Sequence, residues 1–261
     1  MPSLQRQLLA LLRLNLKAGF VPLKATAFAA GFMFANNLVF FTVWIIFFSN
    51  FSNIRGWEQQ DVALLMGLVA WSVGLSLFLA GGVRDIARVI IDGDLDVHLG
   101  RPVHPLPSLI FSRSIPAGLG DMATAWLFWF TLGGQALTDL PFLLTLATAA
   151  AVVFVATNAI VQSAAFWFPG MVQLAEEVLS LTILVSAYPQ HSFGAVLKII
   201  LYSVFPTAFI GLLPVEAIRE ASMLKGLGVL GAAVVYAGLA YWIFNWGLRR
   251  YASGNRFLEL R

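Results

Sequence analysis

The chain has 261 residues, of which 59% are hydrophobic and 11% charged, and its mean hydropathy is +0.84. Because ordinary soluble domains are about 25% charged, this composition excludes a soluble enzyme, a nucleic-acid binder and a disordered protein, and it predicts a polytopic membrane protein. The net charge of +3 at pH 7 then indicates basic flanks that face the cytoplasm.

The N-terminal segment, residues 1–24, is predicted to form an amphipathic helix that lies in the membrane surface. Leucines from Leu4 to Leu16 share one helical face, and Arg6, Arg13, Lys17 and Lys24 share the opposite face. The alternative is a simple positive flank that holds the first membrane span in place.

The apolar segments that follow predict an all-α membrane domain over residues 25–261, with six transmembrane helices. A span needs roughly 20 apolar residues. The predicted spans are residues 25–48, 61–82, 110–134, 141–168, 172–188 and 226–248.

Residues 172–213 are too long for one span and too short for two complete spans with a loop, so we expect one span over 172–188 and a shorter structure after it. Pro189, Pro206 and Pro214 interrupt the chain after that span. We expect a re-entrant helical hairpin over about residues 191–213, with two short helices that dip into the outer leaflet.

The distribution of basic residues predicts that both termini are cytoplasmic, because Lys and Arg concentrate on the inner side of a membrane. With six spans, twelve of the 16 basic residues lie inside and four outside. The outer four are Arg55, Lys198, Arg219 and Lys225.

The cytoplasmic segment between spans 2 and 3 alternates charged and apolar residues. Val83, Ile86, Val89 and Ile90 are expected on one face of a short helix. Gly93 suits a helix end that needs a positive φ.

After that glycine, Asp94 is expected to cap a second turn, and the Arg101-Pro102 pair ends it. Two interpretations remain open from the pattern alone, a docking helix for a soluble partner and an ordinary amphipathic loop.

This segment resembles the signature of the ABC-2 type transporter permeases, in particular the DUF990 branch. The matching pattern is R-x-I-x-x-G-x-L-D-x-x-L-x-R-P-x-x-P-L, from Arg88 to Leu106. The resemblance extends to the surface helix, the six spans, the prolines after span 5 and the basic tail. It implies a coupling helix that docks to a separate ATPase subunit, through these residues: Arg84, Arg88, Gly93, Leu95, Asp96 and Arg101.

Further partners and cofactors are implied by the same resemblance. They are two ATPase subunits that bind ATP and Mg, a second permease that is identical or homologous, and the lipid bilayer of a bacterial inner membrane. The expected function is the permease subunit of an ATP-driven exporter of an organic or amphipathic compound, such as a drug.

Motifs for chemistry within the chain itself are absent from the sequence. It has no G-x-x-x-x-G-K-[ST] phosphate loop, no HExxH pair and no cysteine, so we expect no catalytic residue, no bound cofactor and no metal site. His98 and His104 flank a proline turn and are expected to face solvent. Any ATP must be bound by another polypeptide.

Polar residues within the spans are candidates for function, because polar groups are costly inside a membrane. Asn158 and Gln162 are expected to bond to a neighbouring helix, and Asp121 to a donor inside the bundle, with Arg113 one conceivable partner two turns away.

Spans 1, 2 and 5 face the translocation path in the family that the chain resembles. Asn36 and Asn37, mid-span in span 1, are therefore candidate contacts for a substrate. Glu176 and Glu177, at the inner end of span 5, either attract a cationic substrate or lie among the headgroups.

Two other functions remain open from the sequence. An ion-coupled secondary transporter would need buried ionisable residues, for which Asp121 is the one candidate, and no internal repeat supports that class. A structural membrane protein without transport activity is the second alternative.

Overall fold

The computed structural model describes Arg13, Asn15 and residues 22–51, 53, 56–189, 194–203 and 205–251. Helices connected by short turns make up this part of the chain, and it contains no β-strand. The predicted surface helix lies mainly outside the described residues, as does the basic tail after Tyr251. The helices are α1 Leu23–Asn50, α2 Gln59–Ala80, α3 Ile86–Ile91, α4 Leu95–Leu99, α5 Pro105–Ile110, α6 Gly118–Leu127, α7 Leu140–Ser163, α8 Met171–Ser186, α9 Ala195–Ser203, α10 Leu213–Arg219 and α11 Met223–Leu248.

Four helical segments are long and apolar enough to cross a membrane, by length and composition. They are Leu23–Asn50, Gln59–Ile91, Leu137–Phe166 and Met223–Leu248. The predicted spans 1, 2 and 6 fall within them, and span 4 overlaps the third but extends two residues beyond its end. The second segment includes α2, a 3-10 turn at Gly81–Asp85 and α3.

The two remaining predicted spans correspond to shorter helices. α6 has ten residues and continues as a five-residue π turn, Phe128–Leu132, and α8 has 16 residues. The prediction that span 3 begins at residue 110 is wrong, because α5 ends there and the next helix begins at Gly118. Pro116 lies in the intervening turn, where it restricts the preceding residue to extended backbone.

Both shorter helices run along the length of α2. The amide of Ile115 donates to the carbonyl of Leu77, near one end of α2. At the other end, Gly133 lies beside the backbone of Leu64. α8 starts near α3 and ends where Ser186 lies beside Gly211.

Glycines allow these helices to approach closely. A Cβ on Gly118 would collide with the carbonyl of Gly74 in α2, and a Cβ on Gly120 would collide with the carbonyl of Ala30 in α1. Small residues at helix contacts are typical of membrane bundles, since association there depends on close packing. α6 is thus packed between α1 and α2, with its backbone directly against theirs at both contacts.

Two short helical pieces lie between α8 and α11, as predicted. α9 has nine residues, which at about 1.5 Å per residue are too few to cross a membrane core. The second piece begins with a π turn, Ala208–Leu212, and does not stop before Pro214 as expected. It continues as α10 to Arg219, because Pro214 lies in the first turn of α10, where no helical N–H bond is needed.

Candidate functional site

The segment that connects α2 to α5 is an ordered pair of helices. α3 and α4 are separated by Gly93, whose φ of 79° confirms the predicted left-handed position. The apolar face is also confirmed, since Val83, Ile86 and Ile90 are buried and Val89 is half-buried. This pair, residues 84–102, is called the coupling segment below.

Hydrogen bonds from two other helices hold the coupling segment in place. The side chain of Gln162 in α7 accepts from the amide of Ala87 at 2.9 Å and donates to the carbonyl of Arg84 at 3.0 Å. The Tyr251 hydroxyl, just beyond α11, donates to the carbonyl of Gly93 at 3.0 Å. The expected interhelical role of Gln162 is confirmed, whereas Asn158 donates to its own helix at the Phe154 carbonyl.

Two ion pairs join the coupling segment to its surroundings. Arg88 pairs with Glu176 of α8 at 3.3 Å, and Asp85 pairs with Arg113 at 3.1 Å. Because the Arg88 and Glu176 side chains are about half exposed, their pair adds little stability but fixes which residues face each other. Arg113 is thereby paired away from Asp121, so the suggested Arg113–Asp121 contact is wrong.

The second helix of the coupling segment differs in detail from the prediction. Asp94 occupies the N-cap position of α4, but its side chain makes no capping hydrogen bond. Leu95 is fully buried, so it stabilises the fold of the segment and is not part of the surface that a docking partner would contact. Asp96 and Arg101 are half-buried.

The prediction that His98 and His104 face solvent is wrong. His98 is buried, and its Nδ1 lies 2.9 Å from the Ser108 hydroxyl, which also accepts a hydrogen bond from Arg101 at 3.0 Å. Burial, and then the Arg101 charge, lower the pKa of His98 below its ordinary value. His104 lies 3.0 Å from the Asn245 amide oxygen in α11. Sequence pattern could not identify these contacts, because the partners come from other helices.

The outer surface of the coupling segment is partly apolar. Ile91, Val97 and Leu99 are 40%, 63% and 42% exposed, and Arg84 and Arg88 in the same segment are also exposed. The sequence analysis included Leu99 in the family signature but not among the docking residues, and it did not select Ile91 or Val97. Their position outside the buried helical stripe is the sequence feature that could have identified them as exposed.

A cavity of about 560 Å³ lies between α1, α2, α6 and α8. Its walls are mainly apolar. Its polar lining residues are Asn36, Asn37, Asp121 and Ser180. Of the four candidate residues for a translocation path, the structure places Asn36 and Asn37 here and leaves Glu176 and Glu177 outside.

One polar cluster in this cavity joins α1 to α6. The Asn37 side-chain amide donates to Asp121 Oδ1 at 2.7 Å and lies 3.4 Å from the Thr124 hydroxyl. Asp121 therefore has a donor inside the bundle, as expected. Whether the candidate residues take part in docking or transport stays a prediction.

The described residues contain no group of three or more His, Asp or Glu side chains that could hold a metal ion.

Comparison with known families identifies one match. The model of a family described as "ABC-2 family transporter protein" matches residues 34–254, which is most of the chain. No curated protein and no solved structure matches. The matched range includes the cavity, the coupling segment and all helices from most of α1 to α11. The chain therefore belongs to the ABC-2 transporter family, as a membrane component.

Proposed function

We propose that this chain is the permease subunit of an ATP-driven ABC exporter, which moves an organic or amphipathic compound out of the cytoplasm. Two separate ATPase subunits, which bind ATP and Mg, and a second permease would complete the transporter. One observation carries the proposal. The coupling segment is a rigid, braced element with an exposed surface of Ile91, Val97 and Leu99, and with Arg84 and Arg88 exposed in the same segment.

Its connections suit force transmission. Gln162 links the coupling segment to α7, Arg88 links it to α8, and Tyr251 links it to the end of α11. A push by a closing ATPase dimer on this surface would reach three helices at once. Binding energy at the ATP site would then become a rearrangement of the bundle.

Six crossings with both termini in the cytoplasm agree best with these contacts. The ends of α2, α8 and α11 near the coupling segment are joined by Arg88–Glu176, Gly93–Tyr251 and His104–Asn245. At the opposite ends, Arg219 pairs with Asp61 at 3.0 Å and lies over the Trp57 ring. Each short helix, α6 with its π turn and α8, then runs from one set of ends to the other.

The second permease would pack on the face made by α1 and α8. α1 is apolar yet largely exposed, with Phe28, Phe32 and Val39 all more than 60% exposed. The cavity between α1 and α8 opens beside this face. Two copies, or two related permeases, would then enclose a path between them.

The test is purification of the tagged permease from its native host, followed by identification of bound proteins and measurement of ATP hydrolysis in lipid nanodiscs. An ATPase should copurify, and Val97→Glu with Leu99→Glu should remove it. The control is Leu137→Glu, since Leu137 is 72% exposed at the opposite end of the bundle. An ATPase that stays bound to the coupling-segment variant, or no ATPase at all, would contradict the proposal.

Topology is tested with single cysteines, because the chain has no background thiol. A cysteine at Gly100 should react only with reagents from the cytoplasm, and one at Asp139 only from outside. Reaction of both from the same side would contradict six crossings.

An ion-coupled secondary transporter remains the second candidate, since one buried carboxylate, Asp121, lies in the cavity. Transport that continues without ATP and stops when the proton gradient collapses would favour it.

A further inference from the structure

Asp121 has one carboxylate oxygen without a partner. The residue is 4% exposed, and its Oδ1 accepts from Asn37. Its Oδ2 is buried and makes no hydrogen bond within the structure that is described. A buried carboxylate is costly unless its charge is paired or its remaining oxygen is bonded, so a positive charge close to Asp121 would be stabilising.

No described basic residue supplies that charge. Arg113 pairs with Asp85, and Arg88 pairs with Glu176. The other described ion pairs, of Arg219 with Asp61 and of Lys225 with two glutamates, lie at the opposite end of the bundle. None of these pairs includes Asp121.

The surroundings of Asp121 indicate what kind of partner fits. Asp121 lines the cavity of about 560 Å³, a volume within the range of small-molecule sites, which is roughly 300–1,000 Å³. Most of the wall is apolar, including Phe40, Val69 and Val73. An apolar wall with a single carboxylate is complementary to an apolar molecule with a single positive charge.

We propose that this cavity binds lipophilic cations, with the positive charge of the ligand close to the Asp121 carboxylate and its apolar groups against α1, α2 and α8. Asn37 positions the carboxylate by binding Oδ1 but brings no positive charge, so the charge of the carboxylate is left for the ligand to balance. The inference rests on the proposed transport function and specifies its substrate class. It assigns charge selection to Asp121 rather than to Glu176 or Glu177.

The test uses two probes of matched size and opposite charge, tetraphenylphosphonium and tetraphenylborate. Binding is measured by equilibrium dialysis on the permease alone in phosphatidylcholine nanodiscs, with empty nanodiscs subtracted. The wild-type protein should bind the cation specifically. Asp121→Asn should weaken cation binding about 10-fold or more, which is the effect of an opposite charge at about 4–6 Å on an equilibrium. Glu220→Gln, which removes an exposed carboxylate outside the cavity, should leave binding unchanged.

A second variant keeps the carboxylate and fills the cavity. Ala70 lines the wall, so Ala70→Phe should also weaken cation binding at least about 10-fold by occupying the ligand's volume. The proposal is overturned if Asp121→Asn binds the cation like wild type, if both probes bind equally, or if Ala70→Phe has no effect. If an ATPase copurifies in any of these cases, the proposed transport function is still supported. If cation binding depends on Asp121 but no ATPase copurifies, only the proposed transport function is contradicted.

Discussion

The Tyr251 hydroxyl donates to the carbonyl of Gly93 at 3.0 Å, and so connects the end of α11 to the residue that redirects the coupling segment. The two residues are 158 positions apart in the chain. Because a glycine at positive φ exposes its carbonyl in a direction that a helix would not, the tyrosine reaches an acceptor that exists only when Gly93 has this conformation. The position of Tyr251, just beyond α11, therefore depends on the conformation of the coupling segment at Gly93.

Tyr251→Phe should loosen the coupling segment without changing the bundle. Loss of one hydrogen bond costs about 0.5–1.5 kcal/mol, so local opening of residues 86–99 should increase about 2- to 12-fold. Hydrogen exchange by mass spectrometry measures it. Tyr236→Phe is the matched control, because Tyr236, in the middle of α11, donates to the Ser203 carbonyl and does not contact the coupling segment through this bond. Equal exchange of residues 86–99 in Tyr251→Phe and wild type would contradict the role of Tyr251.

Gly93→Val should disrupt docking while the protein still inserts in the membrane. A β-branched residue at a φ of 79° costs about 1–3 kcal/mol in backbone strain. Relief of that strain would move Arg101 and Asp96, so we expect loss of ATPase copurification. Gly100→Val is the control, since Gly100 has no positive φ and a Cβ there would meet only ordinary contacts. If the ATPase copurifies with Gly93→Val as it does with wild type, the segment is not a docking element whose shape depends on Gly93.

Gln162→Met should uncouple α7 from the coupling segment. It removes a donor to the Arg84 carbonyl and the acceptor for the buried Ala87 amide, and a buried amide left without a partner costs about 1–3 kcal/mol. ATP hydrolysis should become independent of substrate in reconstituted transporter. Asn158→Leu removes a buried amide that bonds only within α7, so substrate stimulation should survive there. Loss of stimulation in both variants would point to general damage of α7.

Acid should loosen the coupling segment through His98. Burial lowers the pKa of His98 below its ordinary value of 6.5. The unfolded segment then binds a proton more tightly than the folded one, so the contribution to stability is complete above about pH 6.5 and is lost as pH falls toward the folded pKa. Hydrogen exchange of residues 86–99, corrected for intrinsic rates, should rise below about pH 6.5.

His98→Gln should remove this pH dependence, and His104→Gln should keep it because His98 is still present. If hydrogen exchange in His98→Gln keeps the same dependence on pH as in wild type, another titratable group causes it.

Gly118→Val should destabilise the whole bundle. The added side chain would collide with the carbonyl of Gly74, and overpacking of this kind costs about 1–3 kcal/mol or more. We expect a lower unfolding temperature in nanodiscs. Gly238→Val carries the same change of helix propensity, but a Cβ at Gly238 meets nothing within 4 Å, so it should unfold close to wild type. Equal unfolding temperatures would show that α2 and α6 separate easily.

The sequence predicted the features that depend on local pattern. The positive φ of Gly93, the buried stripe of Ile86 and Ile90, and the two short helices after α8 follow from glycine, periodicity and proline. The contacts of His98 and the pair of Asn37 with Asp121 depend on residues that folding brings together from other helices. Local pattern carries no information on them.

The prediction for the start of α6 was wrong for a different reason. Residues 110–117 are apolar enough to extend a span, so hydropathy could not separate α5 from α6. The break instead follows from the Pro116 backbone and from the amide of Ile115, which bonds to α2 rather than continuing a helix.

At the contacts of Gly118 with Gly74 and of Gly120 with Ala30, the backbone of α6 meets the backbones of its neighbours directly. Backbones in such contact cannot slide past each other without a collision, so the contact near Gly74 acts as a fulcrum for α2. Gln59 lies 15 residues away, or about 22 Å along the helix axis. A sideways displacement of the coupling segment would therefore swing the opposite end of α2, with its Asp61–Arg219 pair, in the other direction. In such a lever, opening on one side of the membrane and closing on the other are a single movement.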